Sequence, residues 1–240
     1  MNMKKISLVA LLLATAGGVA SAETLVPGCP KAFQGFHLGG NIGYGVGVGS
    51  QKLAVDDGTD TDGFKNKLGI RGVDGGIGVG YTHRFGNWAL GLAFDANWAS
   101  SKGKINTFLN ADDGSHNEGI SVQARLKNSL QLYARGGYVI GGQVMPFIGL
   151  GWDNSNWHQN FVRSETGADD ISGRKSKRFN AFLWKAGVDF LATKHVVLGI
   201  EYTGTIAGSK KFQGTGDAAG NFASFKPQYN KFALTAKIVY

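Results

Sequence analysis

The stretch from Tyr229 to Tyr240, YNKFALTAKIVY, alternates without a break between two kinds of side chain. One face consists of Asn230, Phe232, Leu234, Ala236, Ile238 and Tyr240. The other face consists of Tyr229, Lys231, Ala233, Thr235, Lys237 and Val239. A period of two is the side-chain period of a β-strand. The two lysines do not suit the apolar core of a soluble sheet, so the pattern indicates a strand with lipid on one side and a polar interior on the other.

The same alternation recurs in seven further segments. They lie near residues 35–48, 73–85, 88–98, 130–140, 148–152, 182–190 and 196–203. Glycine often occupies the second face, and the chain has 38 glycines but only 4 prolines, so its glycines serve strands and not linkers. Eight strands are an even number that can close without a free edge. The sequence therefore predicts an all-β, eight-stranded, antiparallel up-and-down transmembrane β-barrel.

The lengths of the connections support a membrane barrel over a soluble sandwich. Three predicted connections are short turns, at 86–87, 141–143 and 192–194. The four between them, at 49–71, 99–119, 155–177 and 206–227, are each about twenty residues long. Compact soluble domains rarely carry four such loops. Membrane barrels of this kind have short periplasmic turns and long external loops.

The amino terminus has the pattern of a secretory signal peptide. Lys4 and Lys5 precede an apolar run, and residues 20–22 read Ala-Ser-Ala, a cleavage pattern. We therefore predict a signal peptide at 1–22, a short periplasmic segment at 23–34 and the barrel at 35–240. Cys29 is the only cysteine, so an intrachain disulfide is excluded. A lipid anchor and an inert or intermolecular thiol both remain open for it.

Charged residues recur on the second face of the strands, which should line the barrel interior. They are Asp95, Arg135, Lys185, Asp189, Glu201, Lys231 and Lys237. Counting from the periplasmic turns places Asp95, Arg135, Lys185 and Glu201 at similar heights, with Lys231 above them and Asp189 and Lys237 below. Side chains just fill an eight-stranded barrel, so we predict ion pairs that plug it. The alternative is a gate whose pairs exchange to pass ions.

Basic residues flank the predicted long loops. They include Arg71, Lys102, Lys104, Arg174, Lys175, Lys177 and Arg178. One interpretation is that they bind lipopolysaccharide phosphates, since charge-assisted pairs are strong. The other is that they only keep the loops soluble. Aromatic residues near the strand ends predict an interfacial girdle. They are Trp88, Trp98, Tyr138, Trp152, Phe190, Tyr202 and Tyr240.

Motifs for catalysis, metals and cofactors are absent from the sequence. The five histidines are dispersed without metal-ligand spacing, and no G-x-S-x-G occurs. The acidic segment at 56–63 misses the register of a calcium loop. His158, Ser164 and Glu165 are candidates for a lipid A deacylase by composition only. The sequence thus predicts a protein that is not an enzyme and has no cofactor, and its predicted export argues against nucleic-acid binding.

The chain resembles the small OmpA-like and opacity-type outer-membrane barrels over essentially its whole mature length. The resemblance rests on the opening FHLGGNIGY at 36–44, the glycine-alternating middle strands and the ending at 232–240. It implies a monomer in the bacterial outer membrane, surrounded by lipid and lipopolysaccharide. It also implies roles in envelope integrity and in adhesion or host interaction through the loops.

The resemblance carries three further expectations. The first is insertion by the barrel-assembly machinery, which would read an aromatic-ended signal made of Phe232, Leu234, Ile238 and Tyr240. The second is that the peptidoglycan-binding domain of larger OmpA proteins is missing, because the sequence ends with the eighth strand. The third concerns function: a narrow porin-like channel and a lipid A-modifying barrel enzyme remain as alternatives.

Overall fold

A computed structural model describes the backbone of residues 32–56, 61–110, 117–165, 171–213 and 222–240. Side chains are described for 32–50, 67–104, 123–160, 176–210 and 224–240. The predicted signal peptide and Cys29 lie outside these ranges. The strands are β1 Gly35–Asp56, β2 Thr61–Phe85, β3 Trp88–Ala99, β4 Lys102–Asn110, β5 Asn117–Tyr138, β6 Val144–Glu165, β7 Ile171–Leu191, β8 Val196–Ala207, β9 Lys210–Gln213 and β10 Phe222–Val239. Among the described residues, no helix is long and apolar enough to cross a membrane.

The strands close into the predicted barrel. Each pairs antiparallel with its neighbours in the order β1-β10-β8-β7-β6-β5-β3-β2, and β2 pairs back with β1. β4 continues the line of β3, because both pair with β2 and with β5. β9 likewise continues the line of β8, since both pair with β10. Ten described strands therefore make eight barrel strands, and the predicted fold class is confirmed.

The barrel is apolar outside and polar inside, as the alternation of YNKFALTAKIVY predicts. Phe232 and Leu234 are 63% and 62% exposed, whereas Lys231, Ala233 and Thr235, which alternate with them, are buried. The exposed apolar side chains form a continuous band that suits lipid. Trp88 and Trp98 lie ten residues apart on β3. At ~3.3 Å per residue and a tilt of ~40° they span about 25 Å, the height of such a band.

The predicted aromatic girdle lies on the outer wall. All its members are exposed except Tyr202, which is half-buried. Near the short turns, Trp88 packs edge-on against Tyr138 with ring centroids 5.1 Å apart. Towards the other end, Tyr202 packs between Trp184 and Phe232, at 4.9 and 4.7 Å. Such pairs suit an interface between lipid and water, where amphipathic rings concentrate.

The four predicted long loops are mostly extended β-hairpins, so the prediction of their structure was wrong. The ladder between β1 and β2 continues to the pair Asp56 and Thr61, and that between β4 and β5 continues to Asn110 and Asn117. β6 and β7 pair as far as Arg163 and Ile171. Alternating hydrophobicity marks contact with lipid, whereas the backbone ladder needs only a hydrogen-bonding neighbour. The sequence pattern therefore ends at the membrane surface while the strands continue.

At the opposite end of the barrel the predicted short turns are confirmed. Residues 86–87 join β2 to β3, residues 139–143 join β5 to β6, and residues 192–195 join β7 to β8. Gly86, Gly141 and Gly142 have φ values of 62°, 60° and 74°, which side chains with a Cβ rarely adopt. Because short turns are periplasmic in these barrels, the four hairpins extend from the outer surface of the membrane.

Candidate functional site in the barrel lumen

A buried lysine between two carboxylates lies at the centre of the lumen. The Nζ of Lys185 is 2.8 Å from Oδ2 of Asp95 and 2.8 Å from Oε1 of Glu201. The Thr203 hydroxyl donates a further hydrogen bond to the same Glu201 oxygen, at 3.1 Å. The ammonium also lies 4.3 Å from the centroid of the Tyr133 ring, within cation–π distance. We call Lys185, Asp95 and Glu201 the central cluster.

A second cluster has the opposite charge arrangement, with one carboxylate between two cations. Asp189 accepts from Nη2 of Arg135 at 2.5 Å and from Nζ of Lys237 at 2.9 Å. The Arg135 guanidinium lies 4.1 Å from the centroid of the Phe147 ring. We call Asp189, Arg135 and Lys237 the periplasmic cluster. The central cluster carries one net negative charge and this one carries one net positive charge, so the two compensate each other.

The partner of Arg135 differs from the one that the predicted heights favour. Arg135 shares a ladder row with Lys185, through Gly149 on β6, but its guanidinium binds Asp189, four residues further along β7. Barrel strands are tilted and staggered, so a row perpendicular to the strands runs obliquely to the barrel axis. Counting residues from the turns therefore misplaces groups on strands that are not adjacent.

The sequence predicts an acidic partner for Lys231, but the structure shows two amide partners instead. Its Nζ donates to the side-chain carbonyl oxygens of Asn41 and Asn97, each at 3.1 Å. Among the described side chains, no carboxylate forms an ion pair with it. Lys231 is 3% exposed, so two amide dipoles provide the hydrogen bonds of a buried ammonium.

Above the central cluster lies a polar layer that the sequence reading did not assign to the charge network. Asp74 accepts from the Tyr229 hydroxyl at 2.6 Å and from Ser101 at 3.2 Å. Asp153 accepts from Nε2 of Gln131 at 3.0 Å. Both acids lie on the inward face, which the alternation of their strands indicates: Asp153, for example, follows the outward Trp152 directly.

Apolar side chains close both mouths of the barrel. On the outer side, Phe225 packs edge-on against Trp157 and Phe179, each with centroids 5.8 Å apart. On the periplasmic side, Phe33 is 5% exposed and belongs to a buried cluster with Met145 and other apolar residues. Between the mouths the lumen holds two cavities of about 20 Å³ each. A cavity of that size holds one water molecule or a very few.

The predicted basic residues divide between the two faces of the wall. Arg71, Lys102 and Lys104 point outward and are exposed. Arg178 also points outward and donates to Oδ1 of Asn154 at 2.7 Å. Lys177, however, lies on the lumen side of β7, opposite Trp157 and two residues from the buried Phe179, and so faces away from lipid. The side chains of Arg174 and Lys175 lie outside the described residues.

The predicted insertion signal lies on the outer face of β10. Phe232, Leu234, Ile238 and Tyr240 are 63%, 62%, 44% and 77% exposed. All four belong to the lipid-facing band, so the last strand presents an apolar outer face that ends in an aromatic residue. Its recognition by the assembly machinery stays a prediction.

The candidate deacylase residues do not come together. His158 and Ser164 lie in one continuous strand, β6, six residues and so about 20 Å apart, and not in a flexible loop as expected from the sequence. The His158 ring instead lies 3.4 Å from the Ser176 hydroxyl. Within the described ranges, no group of three His, Cys, Asp or Glu side chains could hold a metal ion.

Comparisons with known proteins agree with this architecture. The family model for the outer membrane protein beta-barrel domain matches residues 8–235. The outer membrane protease OmpT from Escherichia coli is similar in fold, with a TM-score of 0.53 and 9% identity, over 92% of this chain and 100% of that one.

Two further solved structures show weaker similarity. Neisserial surface protein A has a TM-score of 0.41 and 12% identity, over 86% of this chain and 98% of that one. OprG from Pseudomonas aeruginosa has a TM-score of 0.47 and 12% identity, over 86% and 97%. No curated protein sequence matches the chain. The family match covers most of the chain, which therefore belongs to the outer membrane protein beta-barrel domain family and is a protein of the bacterial outer membrane.

Proposed function

We propose that this protein is a non-enzymatic surface protein whose filled barrel anchors four extended hairpins outside the outer membrane. In this proposal it contributes to envelope integrity and attaches the cell to host or matrix components. The observation that carries the proposal is the closed lumen: two compensating ion clusters lie between two apolar mouths.

The energetics of the lumen support a structural role for its charges. An ion passing the central cluster would have to separate Lys185 from Asp95 and Glu201, which are held at 2.8 Å. Removing one partner of a buried pair costs about 3–5 kcal/mol. A permeating ion would also have to cross the apolar layer formed by Trp157, Phe179 and Phe225. Both barriers favour a filled barrel over the porin-like alternative.

The hairpins are the part of the molecule best placed to meet other molecules. Thr61 lies ten positions before Arg71 on β2, and every residue from Thr61 to Arg71 is paired with β1. At ~3.3 Å per residue and a tilt of ~40° they carry the chain about 25 Å further from the membrane. Binding residues are often found on loops that a rigid scaffold positions, and a continuous ladder is such a scaffold.

The attachment role is testable with the full-length protein in lipid vesicles. The probes are epithelial cells and immobilised basement-membrane extract. Replacing residues 57–60 and 166–170 by Gly-Ser segments of equal length should reduce vesicle binding at least tenfold. A matched control replaces the periplasmic residues 192–195 and should bind as the wild type does. Tip variants that bind normally would contradict the attachment role.

A further inference from the structure

Three cations lie side by side in one ladder row on the outer wall. Arg71 on β2 is the direct partner of Lys102 on β4, which is the direct partner of Arg125 on β5. All three side chains are exposed, and the residues beside them in sequence face the lumen, for example Ile70 and Ala124. We call these three residues the cation row. Neighbouring strands lie ~4.8 Å apart, so the row spans about 10 Å.

The cation row has an unfavourable charge arrangement within the protein alone. Like charges placed directly opposite each other on neighbouring strands destabilise a sheet. All five carboxylates whose side chains are described face the lumen: Asp74, Asp95, Asp153, Asp189 and Glu201. None of them reaches the outer wall, and no ion pair or side-chain hydrogen bond engages the row among the described side chains. Among the described side chains no carboxylate balances this repulsion, so an anion from outside the chain would relieve it.

A local irregularity and a neighbouring lysine increase the positive charge at this place. The register between β5 and β6 shifts between Leu126 and Asn128, so Lys127 is an extra residue. Leu126 is buried, whereas Lys127 is exposed and Asn128 pairs with the outward Trp98. The bulge thus turns Lys127 to the outside, a known effect of such irregularities. Lys104, the next outward residue after Lys102 on β4, adds a fifth cation.

The cation row lies immediately above the lipid-facing band. Val73, the next outward residue below Arg71 on β2, is 52% exposed, and Trp98 on β3 is 57% exposed. An aromatic residue and an aliphatic residue at this height mark the boundary between acyl chains and headgroups. A molecule that contacts both surfaces needs phosphate at the boundary and hydrocarbon below it.

We infer that the cation row, with Lys104 and Lys127, binds the phosphate groups of lipopolysaccharide in the outer leaflet. Arg71 and Arg125 flank the site and can each donate two parallel hydrogen bonds to phosphate oxygens, while Lys102 supplies a point charge between them. The acyl chains then lie against Val73 and Trp98. The inference is independent of the proposed attachment by the hairpins, because it concerns the wall at membrane level.

Lipid binding by the purified full-length barrel tests the inference. The probe is bisphosphoryl lipid A, and the row variant combines Arg71→Gln, Lys102→Gln and Arg125→Gln. A control with the same charge change combines Lys67→Gln, Lys194→Gln and Lys226→Gln, which are exposed cations outside the row. We expect at least tenfold weaker binding for the row variant and less than twofold change for the control. Unchanged binding by the row variant, or equal losses in both, would overturn the inference.

Two further probes separate the lipid from its headgroup. Lipid A without phosphates should bind the wild type at least tenfold more weakly than the bisphosphoryl form. Inorganic pyrophosphate should compete only at concentrations at least a hundredfold higher than lipid A. Equal binding of the phosphate-free lipid would overturn the role of the cations, and equally effective pyrophosphate would overturn the role of the acyl chains.

Thermal unfolding in neutral detergent keeps the inference testable if a variant binds poorly for other reasons. Without lipid, the row variant should unfold at the same temperature as the wild type or higher, because the repulsion is removed. Added bisphosphoryl lipid A should raise the unfolding temperature of the wild type, and not that of the row variant. A row variant that unfolds at a lower temperature than the wild type without lipid would show that the row stabilises the fold, against the inference.

Discussion

Lys185 shows at the scale of one residue how the lumen is held together. Its ammonium binds two carboxylates at 2.8 Å and lies over the Tyr133 ring, so this one side chain links β7 to β3, β5 and β8. Its inward position follows directly from the alternation of β7. Its choice of partners does not, because that depends on the stagger of strands far apart in sequence.

Replacing Lys185 by methionine should strongly destabilise the barrel. The variant leaves Asp95 and Glu201 as two unpaired buried carboxylates, for which we expect a loss of about 3–5 kcal/mol in the free energy of unfolding. Urea unfolding in lipid vesicles, followed by gel mobility of the folded barrel, measures it. Lys194→Met in an exposed turn is the control and should stay within about 0.5 kcal/mol of the wild type. A loss below 1 kcal/mol for Lys185→Met would contradict the structural role.

Gly45 illustrates why glycine faces the lumen in this barrel. A Cβ built on it would lie 1.7 Å from the Tyr229 hydroxyl, which is held by Asp74 and Ser101. Gly45→Ala should therefore displace the ring and lower the free energy of unfolding by about 1–3 kcal/mol. Gly40→Ala is the matched control, because its Cβ would face lipid with the nearest atom at 3.5 Å. The same unfolding assay compares them, and equal stability of the two variants would contradict the packing account.

The hairpins are where the elements depart most from what the sequence predicts. The alternation located all eight membrane-crossing strands and the short turns, because contact with lipid imposes that pattern. Outside the membrane nothing imposes it, so residues such as 49–56 and 61–71 look like loops and yet are paired along their length. The alternation likewise places the lumen charges on the inward face, but it does not show that Asp74 and Asp153 join the polar network or that Arg135 binds Asp189.

Hydrogen–deuterium exchange distinguishes a paired hairpin from a loop. We expect the amides of 50–54 and alternate amides of 62–67 to be protected for minutes or longer, because β1 is paired with both β10 and β2 there, whereas β2 is paired with β1 alone among the described strands. The periplasmic turn at 192–195 provides a reference for fast exchange. Complete exchange of both hairpin segments at the rate of that turn would contradict the ladder.

Charge is segregated across the whole molecule. The described carboxylates are all in the lumen, whereas exposed cations such as Arg71, Lys102 and Arg125 lie on the outer wall. The central and periplasmic clusters compensate each other, and the outer wall attracts anions at the level of the headgroups. The lumen charges therefore stabilise the barrel, whereas the outer surface and the hairpins are the parts that can bind other molecules.

The closed lumen is the central claim, and planar-bilayer recording tests it most directly. The full-length barrel, inserted into a phospholipid bilayer under a steady voltage, should give no resolved single-channel steps, because both mouths and both ion clusters obstruct the path. A wide porin in the same bilayers serves as the positive control for detection. Steady, large single-channel currents from this barrel would contradict the account.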